Sequence, residues 1–85
     1  MRPELTQHAR KEAERRGIAP EWIEETLAGP EQIVDASGGR KAYQSRFDRD
    51  GRVCLLRAIV EEKRGQQVVV TVYRTSKVEK YWRFE

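Results

Sequence analysis

The side chains of this sequence that can do chemistry fall into three groups. His8 and Arg15 stand seven residues apart in a helical stretch, Arg46 and Arg57 lie on strands, and Tyr73, Lys77 and Tyr81 cluster near the C-terminus. Seven residues is two helical turns, so His8 and Arg15 share a face, with Glu12 between them. An imidazole can act as general acid or base at neutral pH without a large pKa shift. The structural alternative is a histidine bonded to Glu12 or packed on a sheet. Arg57 interrupts an apolar strand, and burying it is costly unless the guanidinium meets an anion or a carboxylate. Glu12 or another acid would be its structural partner. Tyr73, Arg74, Thr75, Ser76, Lys77, Lys80 and Tyr81 interleave cations with aromatics, as RNA-stacking surfaces do and as ordinary edge strands also do.

Other chemistry finds no support. Gly38-Gly39 lacks the lysine and the following helix of a phosphate-cradling loop. Cys54 sits mid-strand among apolar residues and reads as an inert core thiol. A single cysteine and a single histidine exclude a disulfide framework and a zinc finger. No metal or cofactor is expected.

The elements that position these groups follow from periodicity. A helix is expected over residues 3–16, with Pro3 in the first turn, an apolar stripe of Leu5, Ala9 and Ala13, and Gly17 at the C-terminal cap. A second helix is expected from Pro20 to Ala28, with Ile18 and Ile23 at the spacing of a hydrophobic staple. Gly29-Pro30 stops it. Strands are expected over 31–36, 41–48, 52–62 and 67–75, with turns at Ser37-Gly38-Gly39, Arg49-Asp50-Gly51 and Lys63-Arg64-Gly65. Residues 52–62 are apolar on both faces, the pattern of a central strand. The main core is expected from Val53, Leu55, Ile59, Val68, Val70 and Val72 with Ile23 and Leu27. The aromatic tail 78–84 is either a fifth strand or a segment packed across the sheet. Short links force antiparallel neighbours. The fold class is therefore α+β, with two N-terminal helices packed on one face of a twisted antiparallel sheet of four strands, or five.

The chain has 85 residues, enough for one domain spanning 1–85 and one core. Net charge is +3, unevenly spread: residues 20–36 carry −5, and residues 63–83 carry +5. A basic body behind an acidic segment attracts phosphate or an acidic partner, although +3 is modest for a dedicated DNA binder. The longest apolar stretch, Val68–Val72, is interrupted by Thr71, and the N-terminus lacks an apolar signal core. No membrane partner is expected, and the expected location is cytoplasmic.

Four runs in order, HARKEAERRGI (8–18), PEWIEETLAGPEQIV (20–34), KAYQSRF (41–47) and VVVTVYRTSK (68–77), resemble the bacterial family "domain of unknown function 4258". That family is similar in element order to the RelE and BrnT toxins, small α+β ribonucleases paired with antitoxins. It has also been grouped with the wider barnase, EndoU, colicin and RelE nuclease-like fold. His8 and Arg15 match the helix motif, Thr71 and Tyr73 the strand motif, and Ser76 and Lys77 the segment after it. The resemblance implies an RNA-cleaving, toxin-like domain working without a metal. His8 would be acid or base, and Arg15, Arg46, Arg57 and Lys77 would stabilise the charged phosphorane. Tyr73 or Tyr81 would stand in for the histidine, since RelE-type toxins often rely on basic and tyrosine side chains. RNA or the ribosome, and an antitoxin-like protein, would be the partners. The alternative is a non-catalytic protein-binding or regulatory module of the same fold.

Overall fold

The two-residue period of residues 41–75 folds into three long antiparallel strands, and the other elements cover or extend them. The structure, a computed structural model, describes residues 4–84. The long strands are β3 (Lys41–Arg49), β4 (Arg52–Lys63) and β5 (Gln66–Thr75). Each hairpin turns on two residues with positive φ: Asp50 and Gly51 at 51° and 79°, Arg64 and Gly65 at 51° and 77°. That backbone matches the right-handed strand twist and fixes the register. β2 (Gln32–Asp35) pairs antiparallel with β3, and β1 (Glu4–Leu5) lies parallel along β5. The sheet order is β1-β5-β4-β3-β2.

Two helices, α1 (Gln7–Arg15) and α2 (Pro20–Ala28), cover one face. Thr6 caps α1: its hydroxyl accepts from the Ala9 amide at 3.1 Å and donates to the Val70 carbonyl at 3.2 Å. Gly17, with φ of 65°, ends the helix. There the Gly17 and Ile18 amides bond the Glu14 and Ala13 carbonyls at 3.1 and 2.8 Å, a Schellman motif. Pro20 opens α2 as expected, and Ile18 and Ile23 are both buried in the same cluster. The Trp22 ring stacks on Phe47 with centroids 4.7 Å apart.

Three expectations need correction. The first helix begins at Gln7, because Thr6 caps it there, and Leu5 packs on the core from a strand. Pro3 lies outside the described residues. The fifth strand is N-terminal and parallel, so the sheet is mixed. The Thr6 amide continues its ladder to the Val69 carbonyl at 3.0 Å. The tail takes the other expected course: it forms one helical turn, α3 (Val78–Tyr81), packed against β4 on the face away from α1 and α2.

The third correction concerns the core. Beneath the helices lie Leu56, Ala58, Val60, Val69 and Val72 with Ala9, Ala13, Ile18 and Ile23. The odd-numbered β4 residues point the other way: Leu55 is fully buried there, while Val53 is 50% exposed. Both faces of β4 are apolar, so periodicity alone does not say which one the helices take. A β-bulge completes the difference. Ile59 pairs with Thr71 and Val60 with Val69, so Val70 is the extra residue. The bulge puts Val69 and Val72 on one face despite their odd spacing.

Candidate functional site

Every second residue of the central strands faces away from the helices, and there a polar group, Gln44, Arg57 and Tyr73, interrupts apolar neighbours such as Ala42, Leu55 and Ile59. The β3–β4 register places Gln44 opposite Arg57, and the β4–β5 register places Tyr73 on Arg57's other side. The bulge makes the second pairing. Counted from the Arg64-Gly65 turn without it, Tyr73 would face Leu56 on the helix side.

Arg57 is only 8% exposed, and no carboxylate among the described residues pairs with it. Its Nε donates to Gln44 Oε1 at 2.9 Å, and its Nη1 donates to the Tyr73 hydroxyl. The guanidinium carbon stands 4.4 Å from the centre of the Tyr81 ring, a cation–π distance, and 5.7 Å from that of Tyr73. The two tyrosine rings meet edge to face at 6.1 Å. Gln44, fully buried, passes the network outward. Its Nε2 donates to Gln32 Oε1 at 2.9 Å and to the Tyr81 carbonyl at 3.1 Å. Gln32 in turn exchanges two bonds with the Arg83 backbone, at 2.7 and 3.0 Å. Glutamine suits this position because its amide accepts from the arginine and donates to a carbonyl at once. The network therefore holds one uncompensated positive charge in a low-dielectric floor, under two half-buried tyrosines.

Arg46 lies on the same face, 4.2 Å from the Trp82 ring centre, but Glu31 takes its charge through contacts at 3.0 and 3.2 Å. The Arg46 guanidinium and backbone hold the Glu31 carboxyl below its ordinary value. Lys77 stands exposed where β5 leads into α3, and its amide bonds Thr75 Oγ1 at 3.0 Å. It makes no ion pair among the described residues.

Arg57, Tyr73 and Tyr81 thus come together, with Arg46 on the same face and Lys77 exposed at the link from β5 to α3. His8 and Arg15 do not join them, because α1 rides on the opposite face. His8 is exposed, and neither of its expected structural partners holds it. Glu12 instead binds Arg15 at 2.8 Å and Arg16 at 3.1 Å, and these two guanidinium groups hold its carboxyl at about 2. Gln32 and Gln44 were not singled out by sequence, and Trp82 entered only as part of the aromatic tail. The signal for Gln44 was available, since counting back from the Asp50-Gly51 turn sets it against Arg57.

Among the described residues no cluster of His, Cys, Asp or Glu could hold a metal ion, and no helix is long and apolar enough to cross a membrane. A family model described as Domain of unknown function (DUF4258) matches residues 5–74. No curated protein and no solved structure matches the chain.

Proposed function

We propose that this chain, which belongs to the DUF4258 family, binds single-stranded RNA on the sheet face around Arg57 and cleaves it without a metal ion. The observation that carries the reading is Arg57 itself: a guanidinium 8% exposed, with no carboxylate partner among the described residues, flanked by two tyrosines. A phosphate arriving there supplies the missing negative charge, and the developing charge of a phosphorane is stabilised by the same group. Bases stack on the half-buried rings of Tyr81 and Trp82.

Cleavage by the 2′-oxygen forms a bond to phosphorus and breaks the bond to the 5′-oxygen, leaving a 2′,3′-cyclic phosphate and a 5′-hydroxyl. It needs one group to take the 2′ proton and one to protonate the leaving oxygen. The Tyr73 hydroxyl accepts from Arg57, so its own proton is free to be donated, and we assign it the acid role. Tyr81, whose ring lies over the guanidinium, is the group left to take the 2′ proton, which it can do only as the phenolate. Lys77 at the rim steers the backbone. His8, on the far face, has no part in this scheme.

The test is incubation of the purified protein with RNA, free and on ribosomes, with a chelator present. Loss of the general acid in Tyr73→Phe is expected to slow cleavage on the order of 10²-fold in a protein that still folds, although the change also costs Arg57 Nη1 its acceptor and lowers the melting temperature. His8→Ala is expected to cleave like the wild type. No cleavage of either substrate by the folded wild type overturns the reading. The alternative is then a non-catalytic protein-binding module, which the unpaired outer edge of β2 and the half-exposed Ile33 favour.

A further inference from the structure

A second concentration of positive charge lies on the helix side of the sheet, at the end away from the Arg64-Gly65 turn. Arg49, Arg52 and Arg74 line one open cleft with Asp50, Thr75 and Ser76. The Asp50-Gly51 turn holds Arg49 and Arg52 directly opposite each other across the β3–β4 ladder. Like charges in that relation destabilise a sheet unless an anion intervenes. Neither arginine has an ion-pair partner among the described residues, and both are exposed.

Arg74 approaches from β5. Its position opposite Leu56 points it to the helix face, where its Nε donates to the Arg16 carbonyl at 3.0 Å. That bond fixes the guanidinium while leaving its terminal nitrogens unbonded to protein among the described residues. One carboxylate, Asp50, stands against the three cations. The neighbouring Asp48 accepts from the Gly51 amide at 3.1 Å and serves the turn. The cleft therefore has a net positive charge, planar donors suited to bidentate contact with phosphate oxygens, and the exposed Ser76 at its rim.

We propose that this cleft is a phosphate-binding site separate from the Arg57 face. The phosphate belongs either to an RNA strand that bends around the end of β5 past Ser76 and Lys77, or to a free phosphate or nucleotide. The RNA source rests on the reading of the Arg57 face; the site itself does not.

The experiment uses two probes, inorganic phosphate followed by amide NMR shifts and a labelled ten-nucleotide single-stranded RNA followed by anisotropy across a salt series. The variants are Arg49→Gln/Arg52→Gln and a charge-matched control at the other hairpin, Lys63→Gln/Arg64→Gln. Phosphate is expected to shift the Gly51 and Ser76 amides in the wild type and the control, and not in the arginine pair. If RNA is the source, the arginine pair also lowers the salt slope by about 1.4, at roughly 0.7 per phosphate contact on a single strand. Phosphate shifts with no RNA binding by any variant support the site and sink the RNA reading. The proposal is overturned if phosphate shifts are absent from the cleft or identical in the arginine pair. Retained melting temperature in that variant, expected because neither side chain bonds to protein among the described residues, removes misfolding as a cause.

Discussion

The two faces of the sheet obey opposite rules. Under α1 and α2 every buried group is apolar or small, and Ala9 and Ala13 let α1 approach closely. Under α3 an arginine, two glutamines and a tyrosine are held in a single hydrogen-bonded network. The first face gains stability with each methylene removed from water, roughly 0.8 kcal/mol apiece. The second gains little, because each buried polar group only recovers the hydration it lost. A small domain that gives one face to such a network leaves most of its stability to the other. The difference separates the layer that folds the chain from the face proposed to act.

The largest expected effect breaks the apolar face. Ala9→Glu places a carboxylate at a fully buried position with no partner, and the cost is about 3 kcal/mol or more, enough to unfold much of a marginal domain. Urea denaturation measures it; an unchanged midpoint would show that α1 is not seated on β5.

The polar face is expected to respond in pairs. Arg57→Met leaves Gln44 Oε1 buried without its donor, at a cost of about 1–3 kcal/mol. Adding Gln44→Leu removes the orphan, and part of the loss should return. A double-mutant cycle with no coupling would contradict the network. If stability rises in the double variant while RNA binding falls, the contrast between the faces is sharpened.

The smallest effect belongs to the rim, where charges are solvated. Glu12 titrates at about 2 because Arg15 and Arg16 bond its carboxylate, against an ordinary value of 4.5. Glu31 and Asp35 are lowered by Arg46 and Lys41. A depressed carboxylate contributes stability that is fully present above its unfolded pKa and is lost as pH falls through the folded one. Stability should therefore be level above about pH 5 and decline from pH 4.5 toward 2, with a shallower decline in Glu12→Gln. A flat acid limb in the wild type would remove these pairs from the account.

Much of this arrangement was legible in the residues. The hairpins follow from Asp50-Gly51 and Arg64-Gly65, and α2 from Pro20 and its staple; Arg46 and Arg57 stand out as strand cations and Tyr73 and Tyr81 in a cation–aromatic run, with nothing in the sequence to say which of them meet. What escaped has physical causes. β1 is only two residues long, too short for any period to register. The faces of β4 are equally apolar, so only the docked helices distinguish them. The bulge at Val70, whose carbonyl accepts from Thr6 at the far end of the chain, leaves no periodic signal, and it decides which side Tyr73 takes. His8 and Arg15 share a helical face as their spacing requires, yet which sheet face that helix covers is a tertiary choice.

Thr6 joins these choices in time as well as in space. Its hydroxyl starts α1 and also holds the Val70 carbonyl, a contact spanning 64 positions of sequence. The β3–β4 and β4–β5 hairpins close local loops and form early, on the microsecond scale. Contacts across so long a loop form late, after more chain entropy has been lost. The unbulged ladder is the pairing that the Arg64-Gly65 turn alone would set, and it would turn Tyr73 toward the helix side. Docking of the N-terminal segment is therefore expected to complete the apolar layer and the Arg57 face in the same late event.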